Sequence, residues 1–339
     1  MIWWDLTYQF RKKISIIPGK VVADLSDFPV LISLSDADLA DHAQKDGDDI
    51  AFTAADNTTK LSHEIEYFKS SEGKLLAWVK VPNLLTTKQT VLYVYYGNPG
   101  ATSQQDGTAV WASNYKAVWH LQDQPAGSPL DIKDSTGNHQ ATSYNMDTGN
   151  QATGQIGDGL TFDGIEEYID TGYTEDLHSF TVSVWVKGDR PPDNSQNTGP
   201  LMKEENFQVC WDHVDPTVRA AASLRIGGPG PEHWHMSSFG GLDHKNWYYL
   251  VASYDGETLV TYTNGTLSSS NPAPSGDPDA TGRTAFIGKH ALTPSYFAGT
   301  IDEVRISDSI HSAEWIETEY NNQSSPANFY NIASEETAP

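Results

Sequence analysis

The chain has 339 residues, a length that predicts two domains, and its 38% hydrophobic content is enough to bury a core. A formal charge of −24 argues against a phosphate-backbone partner, because nucleic-acid binding depends on clustered Lys and Arg. A single cysteine, Cys210, excludes an intramolecular disulfide and a cysteine-based zinc site, and no apolar run is long enough to span a bilayer.

The acidity fits either plain solubility or cation binding through carboxylates, in a protein that works outside a cell. The start, MIWWDLTYQFRKKISI, lacks the charged-then-apolar layout of a signal peptide. The expectation is either processing or a route other than secretion, such as that of a virion protein. Trp3 and Trp4 are adjacent, so in a strand at most one of them faces inward.

Period-two patterns then follow along the chain: RKKISII (11–17), FPVLISL (28–34), KLLAWVKV (74–81) and TVLYVYYG (90–97). ADLADHAQ (37–44) predicts a short helix. A turn-rich stretch at 97–108 precedes a fresh strand, KAVWHL, and places a domain break near residue 115. FTVSVWVK (180–187) is a further strand, and WYYLVASYDGETLVTYTNG predicts a hairpin turning at Asp255-Gly256. SSSNPAPSGDPDATG (268–282) reads as a surface loop, IDEVRIS (301–307) as a strand, and SAEWIETEY (312–320) as a helix capped by Ser312. Trp185, Trp247 and Trp315 are assigned to the core. The fold class is all-β, as two β-sandwich domains at 1–115 and 116–339 with one short C-terminal helix.

Two resemblances rest on ordered motifs. WWDLTYQFRKKISI, DFPVLISLSDADLA, QKDGDDIAFT, HEIEYF, LLAWVKVPNL and VLYVYYGNPGA resemble domain of unknown function 2341 over residues 3–112. That resemblance implies a small β-sandwich at the head of secreted prokaryotic or phage structural proteins. AVWHLQD, DSTGN, GDGLTFDGIEEYIDTG, FTVSVWVK, the 247–265 hairpin, FIGK and FAGTIDEVRISD resemble a laminin-G-like, concanavalin A-like jelly roll over 116–335.

Adjacent carboxylates in IDEVRIS raise a question, since alternation sends one of them toward the core, where an unpaired charge is costly. The jelly-roll resemblance implies an answer: Asp302, with Asp163 of the FDG turn, holds a structural calcium ion (Ca2+) together with backbone carbonyls. The alternative is that Asp302 caps loop amides without a metal. Arg305 is expected to pair with a residue on an adjacent strand.

Catalytic templates are poorly matched. A retaining glycosidase needs two carboxylates about 5–5.5 Å apart. HEIEYF offers Glu64 and Glu66, and IEEYID offers Glu166 and Asp170 beside Tyr168, but neither has a third acid on the same strand face. No G-x-S-x-G elbow, H-E-x-x-H helix or phosphate-cradling glycine loop occurs. Trp211, His213, His233, Trp234 and His235 form the candidate ligand contacts, with indole faces for a sugar and imidazoles for its hydroxyls. His233 and His235 share a face if their segment is a strand, and the alternative for both Trp is core packing.

The expectation is a non-catalytic surface adhesion or decoration protein that binds glycans on a phage virion or an extracellular prokaryotic surface. Its partners would be a cell-surface or extracellular glycan and other virion or surface-layer subunits, without nucleic acid or membrane insertion. The alternatives are a purely structural virion protein and a glycan-cleaving hydrolase.

Overall fold

A computed structural model describes residues 3–112, 114–190, 198–214, 217–273 and 275–339, with the backbone alone at 213, 214 and 217. The chain forms two compact units, one made of residues 1–113 and 317–339, the other of 114–316. Residues 317–339, assigned from sequence to the second domain, therefore belong with the first. Hydrogen bonding accounts for this: Tyr330–Ile332 and Glu336–Thr337 both pair antiparallel with Phe10–Ile16. Asn322 adds a two-way bond to the backbone of Leu31, donating to its C=O at 3.0 Å and accepting its N–H at 2.7 Å.

In the first unit a six-stranded sheet is built on Phe10–Ile16, Val91–Tyr96 and Ala51–Ala54. A three-stranded sheet runs Leu25–Ser35, Lys74–Leu84, His63–Lys69. Phe28, Val30, Leu31 and Ile32 are all fully buried, so Leu25–Ser35 is covered on both faces. Glu64 and Glu66, the acid pair of HEIEYF, accept the indole N–H groups of Trp111 and Trp78, each at 2.7 Å.

Arg11 organises one corner of this unit. Its guanidinium lies over the rings of Trp3 (4.5 Å) and Tyr93 (4.4 Å) and donates to Glu336 Oε2 (2.7 and 2.8 Å), Asn57 Oδ1 (2.8 Å) and Tyr95 OH (2.9 Å). Trp3 is buried and Trp4 half-buried, and both rings pack on Tyr95.

The second unit is a sandwich of an eight-stranded and a seven-stranded sheet. Its core interleaves Val182, Val184, Ile301 and Val304 of the first sheet with Val209, Trp211, Ala220 and Leu224 of the second. The predicted hairpin forms, with Tyr254 paired to Leu259 across Asp255-Gly256. Thr263 then pairs with Thr266 across Asn264 (φ 52) and Gly265 (φ 75), the two left-handed residues that a type I′ turn requires. This turn starts an edge strand, Thr266–Pro272, so the first part of the expected loop at 268–282 is sheet. It ends at Pro272, which has no N–H to continue a ladder. The expected helix is Ala313–Ser324, with Ser312 Oγ accepting the N–H of Trp315 at 3.2 Å. Trp185 and Trp315 are buried, whereas Trp247 is half-buried beneath the Lys187 ammonium at 5.1 Å and is not a core residue.

Two predictions concern the first unit. Arg11→Ala leaves the Glu336 carboxylate without its partner and opens the aromatic stack. We expect a loss of roughly 3 kcal/mol, read as a lower urea midpoint. Burial holds the His63 imidazole neutral by pushing its pKa down to about 4 from 6.5. The unfolded chain takes up that proton first, so this contribution is complete above pH 6.5 and is lost as pH falls toward 4. The difference amounts to about 3 kcal/mol, and His63→Gln should flatten this part of the stability profile.

Candidate functional site

The seven-stranded sheet presents one face to the core and one away from it. Along Phe207–Val214, Phe207, Val209 and Trp211 enter the core, so alternation turns Gln208, Cys210 and Asp212 outward. Register then assembles the outer face. Gln208 pairs with Ser223, Ser223 with Met236, and Arg225 with Trp234. Gln208, Cys210, Asp212, Ser223, Trp234 and His290 line a depression of about 380 Å³.

Its floor is a connected polar network. Ser223 Oγ donates to Gln208 Oε1 at 2.7 Å, and Gln208 Nε2 donates to Glu204 Oε2 at 3.1 Å. His290 closes the set, with Nε2 at 3.4 Å from the same Glu204 oxygen. Its Nδ1 accepts the backbone N–H of Leu292 at 3.1 Å, which assigns the ring proton to Nε2. Burial raises the Glu204 carboxyl above its ordinary range, helped by nearby Glu205, and lowers the His290 imidazole. Burial also pushes the Cys210 thiol up to about 12, so it lines the wall as a neutral thiol.

Trp234 forms the rim. The Arg225 guanidinium lies 5.9 Å from its ring and is fixed by Glu205 (2.7 Å) and Asp279 (2.6 Å). Of the five predicted ligand contacts, this one lines the depression. Trp211 is 2% exposed and packs edge-on to Phe297 in the core, so the expectation of an exposed indole is corrected. His233 lies in a 3-10 turn, Pro231–His233, against Glu232 at 3.2 Å. His235 follows on the strand Trp234–Leu242, on the same side as buried Ser237 and Phe239 and opposite Trp234. The two histidines therefore do not share a strand face, because the strand begins between them. His213 is on its strand, but its side chain lies outside the described residues.

Asp302 and Glu303 are both fully buried. Alternation fails here because Ser183 pairs with Arg305 while Trp185 pairs with Asp302, an irregularity in which Glu303 takes φ 52. This bulge inserts one residue between the core-facing Ile301 and Val304, so neither carboxylate enters the core. Arg305 donates to Glu303 Oε2 at 2.6 Å on its own strand, a partner not expected from the sequence, and His120 Nδ1 lies 2.7 Å from Oε1. Burial would raise the Glu303 carboxyl, but His120 and Arg305 hold it below its ordinary range.

Asp302 Oδ2 accepts the backbone N–H groups of Gln155 and Ile156, each at 2.8 Å. Asp163 pairs with Ala298 and is exposed, its Oδ1 accepting the N–H of Ile165 at 2.8 Å. Asp302 lies four residue steps beyond Ala298, about 13 Å along the strand. The two acids thus have no ion in common, and Asp302 Oδ2 is already engaged by two backbone amides. As a pair these two acids do not fit the implied calcium site, and the Oδ2 contacts of Asp302 are those of the amide-capping alternative.

Residues 163–317 match the concanavalin A-like lectin/glucanases superfamily, and residues 46–173 match domain of unknown function 2341. The fold of the second unit is concanavalin A-like. None of the curated proteins matches the chain. Similar solved structures include domain 4 of AbnA, an extracellular arabinanase from Geobacillus stearothermophilus, in complex with arabinotriose. It is 20% identical over 61% of this chain and 98% of that one, with a TM-score of 0.40. The binding domain of botulinum neurotoxin serotype D is 15% identical over 62% of this chain and 52% of that one, with a TM-score of 0.44. The binding domain of Paraclostridial Mosquitocidal Protein 1 is 12% identical over 59% and 52%, with a TM-score of 0.42.

In this concanavalin A-like unit Asp302→Ala removes the acceptor of two backbone amides. It should cost roughly 3 kcal/mol in a denaturant titration. Excess EDTA should leave the melting temperature of the unaltered protein unchanged.

Proposed function

We propose that the chain is a carbohydrate-binding protein that holds a glycan on the outer face of its seven-stranded sheet, without cleaving it. The observation that carries this reading is the depression itself: an indole rim at Trp234 over a floor of Gln208, Ser223, Asp212 and His290. A sugar has an apolar face that stacks on an indole and hydroxyls that need fixed donors and acceptors, and this lining offers both. The network from Ser223 to Glu204 orients the Gln208 amide before any ligand arrives, so little ordering is left for binding to accomplish.

Binding is favoured over hydrolysis because cleavage needs two facing carboxylates. Asp212 is the one carboxylate among the described residues that line the depression, while Glu204 is engaged by Gln208 and His290. Tyr168 and Asp170 share a strand, but Glu166 falls in the preceding turn, so the acid set weighed from the sequence is not assembled. The setting we propose is surface adhesion or decoration, on a phage particle or outside a prokaryotic cell, where an acidic, disulfide-free binding protein meets polysaccharide. A glycan array should return hits that weaken at least tenfold in Gln208→Ala and in Trp234→Ala, about 1.4 kcal/mol each. The same hits should release no reducing ends on prolonged incubation. An array without hits would refute the proposal.

A further inference from the structure

The outer face of the seven-stranded sheet carries a second group of side chains, beside the depression. One ladder row crosses the sheet through Asp170, Phe286, Met202, Gln208, Ser223 and Met236. At its Phe286 end stands an aromatic cluster. Tyr144 and Tyr168 are stacked at 4.8 Å and 6°, and Tyr168 contacts Phe286 at 5.9 Å and Tyr296 at 6.3 Å. The Lys289 ammonium lies 4.2 Å from the centre of Tyr168, 5.2 Å from Phe286 and 5.9 Å from Tyr296. Tyr144 covers one face of Tyr168, so Lys289 occupies the other.

Three rings thus hold this ammonium in place, yet they do not neutralise it. Lys289 makes no ion pair among the described residues, although the chain has 45 acidic residues against 21 Lys and Arg. The nearest carboxylate on the row, Asp170, accepts the N–H of Gly172 at 3.0 Å. Lys289 is also adjacent in sequence to His290, which lines the depression, so one short segment serves both places. Phe286 and Gln208 are two strands apart on the row, about 10 Å, the reach from one sugar unit to the charged group of a neighbour.

We propose that Lys289 is a specificity determinant for an acidic glycan. The sugar in the depression is followed along the row by a unit whose carboxylate or sulfate meets the caged ammonium. This inference rests on the carbohydrate-binding reading and adds the ligand's charge.

The test compares trigalacturonic acid and tetrasaccharides of hyaluronan and chondroitin sulfate with cellotetraose and xylotetraose, by calorimetry on the full chain. At least one acidic ligand should bind tenfold or more tightly than both neutral ones, and added salt should erode that preference. Lys289→Gln should abolish it, Lys289→Arg should restore much of it, and Trp234→Ala should weaken every ligand alike. Neutral ligands binding as tightly as acidic ones, still sensitive to Trp234→Ala, would overturn the acidic assignment while leaving the carbohydrate reading intact. If no saccharide of either kind bound, both would fall. Should Lys289→Gln fail to fold, the preference and salt dependence of the unaltered chain would decide.

Discussion

The core of the second unit needs Phe207, Val209 and Trp211 on one side of their strand, and that demand leaves Gln208, Cys210 and Asp212 on the other. A one-residue slip would exchange the two sets, burying an amide and a carboxylate and exposing a large indole. The hydrophobic effect therefore fixes the polar face indirectly, by choosing which residues it cannot accommodate. Ser223 and Met236 on the following strands are aligned by the same ladder. The candidate site is in this sense the reverse side of the core.

The same logic explains how the eight-stranded sheet tolerates adjacent acids. Strict alternation would send one of Asp302 and Glu303 into apolar surroundings, where an unpaired charge costs several kcal/mol. The bulge at Glu303 removes that conflict by displacing the chain one residue, which costs a left-handed backbone conformation at a non-glycine position. Each acid then finds its own compensation: backbone amides for Asp302, and Arg305 with His120 for Glu303. Nearby His311 stays neutral because burial, aided by the Arg305 charge, pushes its pKa down to about 3.

Much of the architecture was legible in the sequence. Strand runs, the Asp255-Gly256 hairpin and the Ser312-capped helix all depend on local spacing and turn chemistry, which survive folding unchanged. The site was less legible. Trp234 is legible as a candidate sugar contact, but Trp211 stands beside it only if the period-two signal in FQVCWDHV is set aside. Counting that period from Phe207 would have placed Trp211 inward and drawn attention to Gln208 and Asp212. Glu204, Ser223 and His290 come from separate strands and loops, and no local pattern announces residues that meet through register. The bulge was equally hidden, and with it the pairing of Arg305 to Glu303, since an inserted residue leaves no mark in composition. Assigning 317–339 to the second domain failed for a related reason. The partner of Tyr330–Ile332 and Glu336–Thr337 is a strand more than three hundred positions earlier.

That last pairing has a consequence for biosynthesis. The strand Phe10–Ile16 lacks two of its neighbours until residues 330–337 are translated. The concanavalin A-like unit, contiguous from 114 to 316, is complete before then. The usual vectorial order, in which the amino-terminal domain matures first, is inverted for this chain. Residues 10–16 must wait, partly unpaired, for residues 330–337 to complete the sheet.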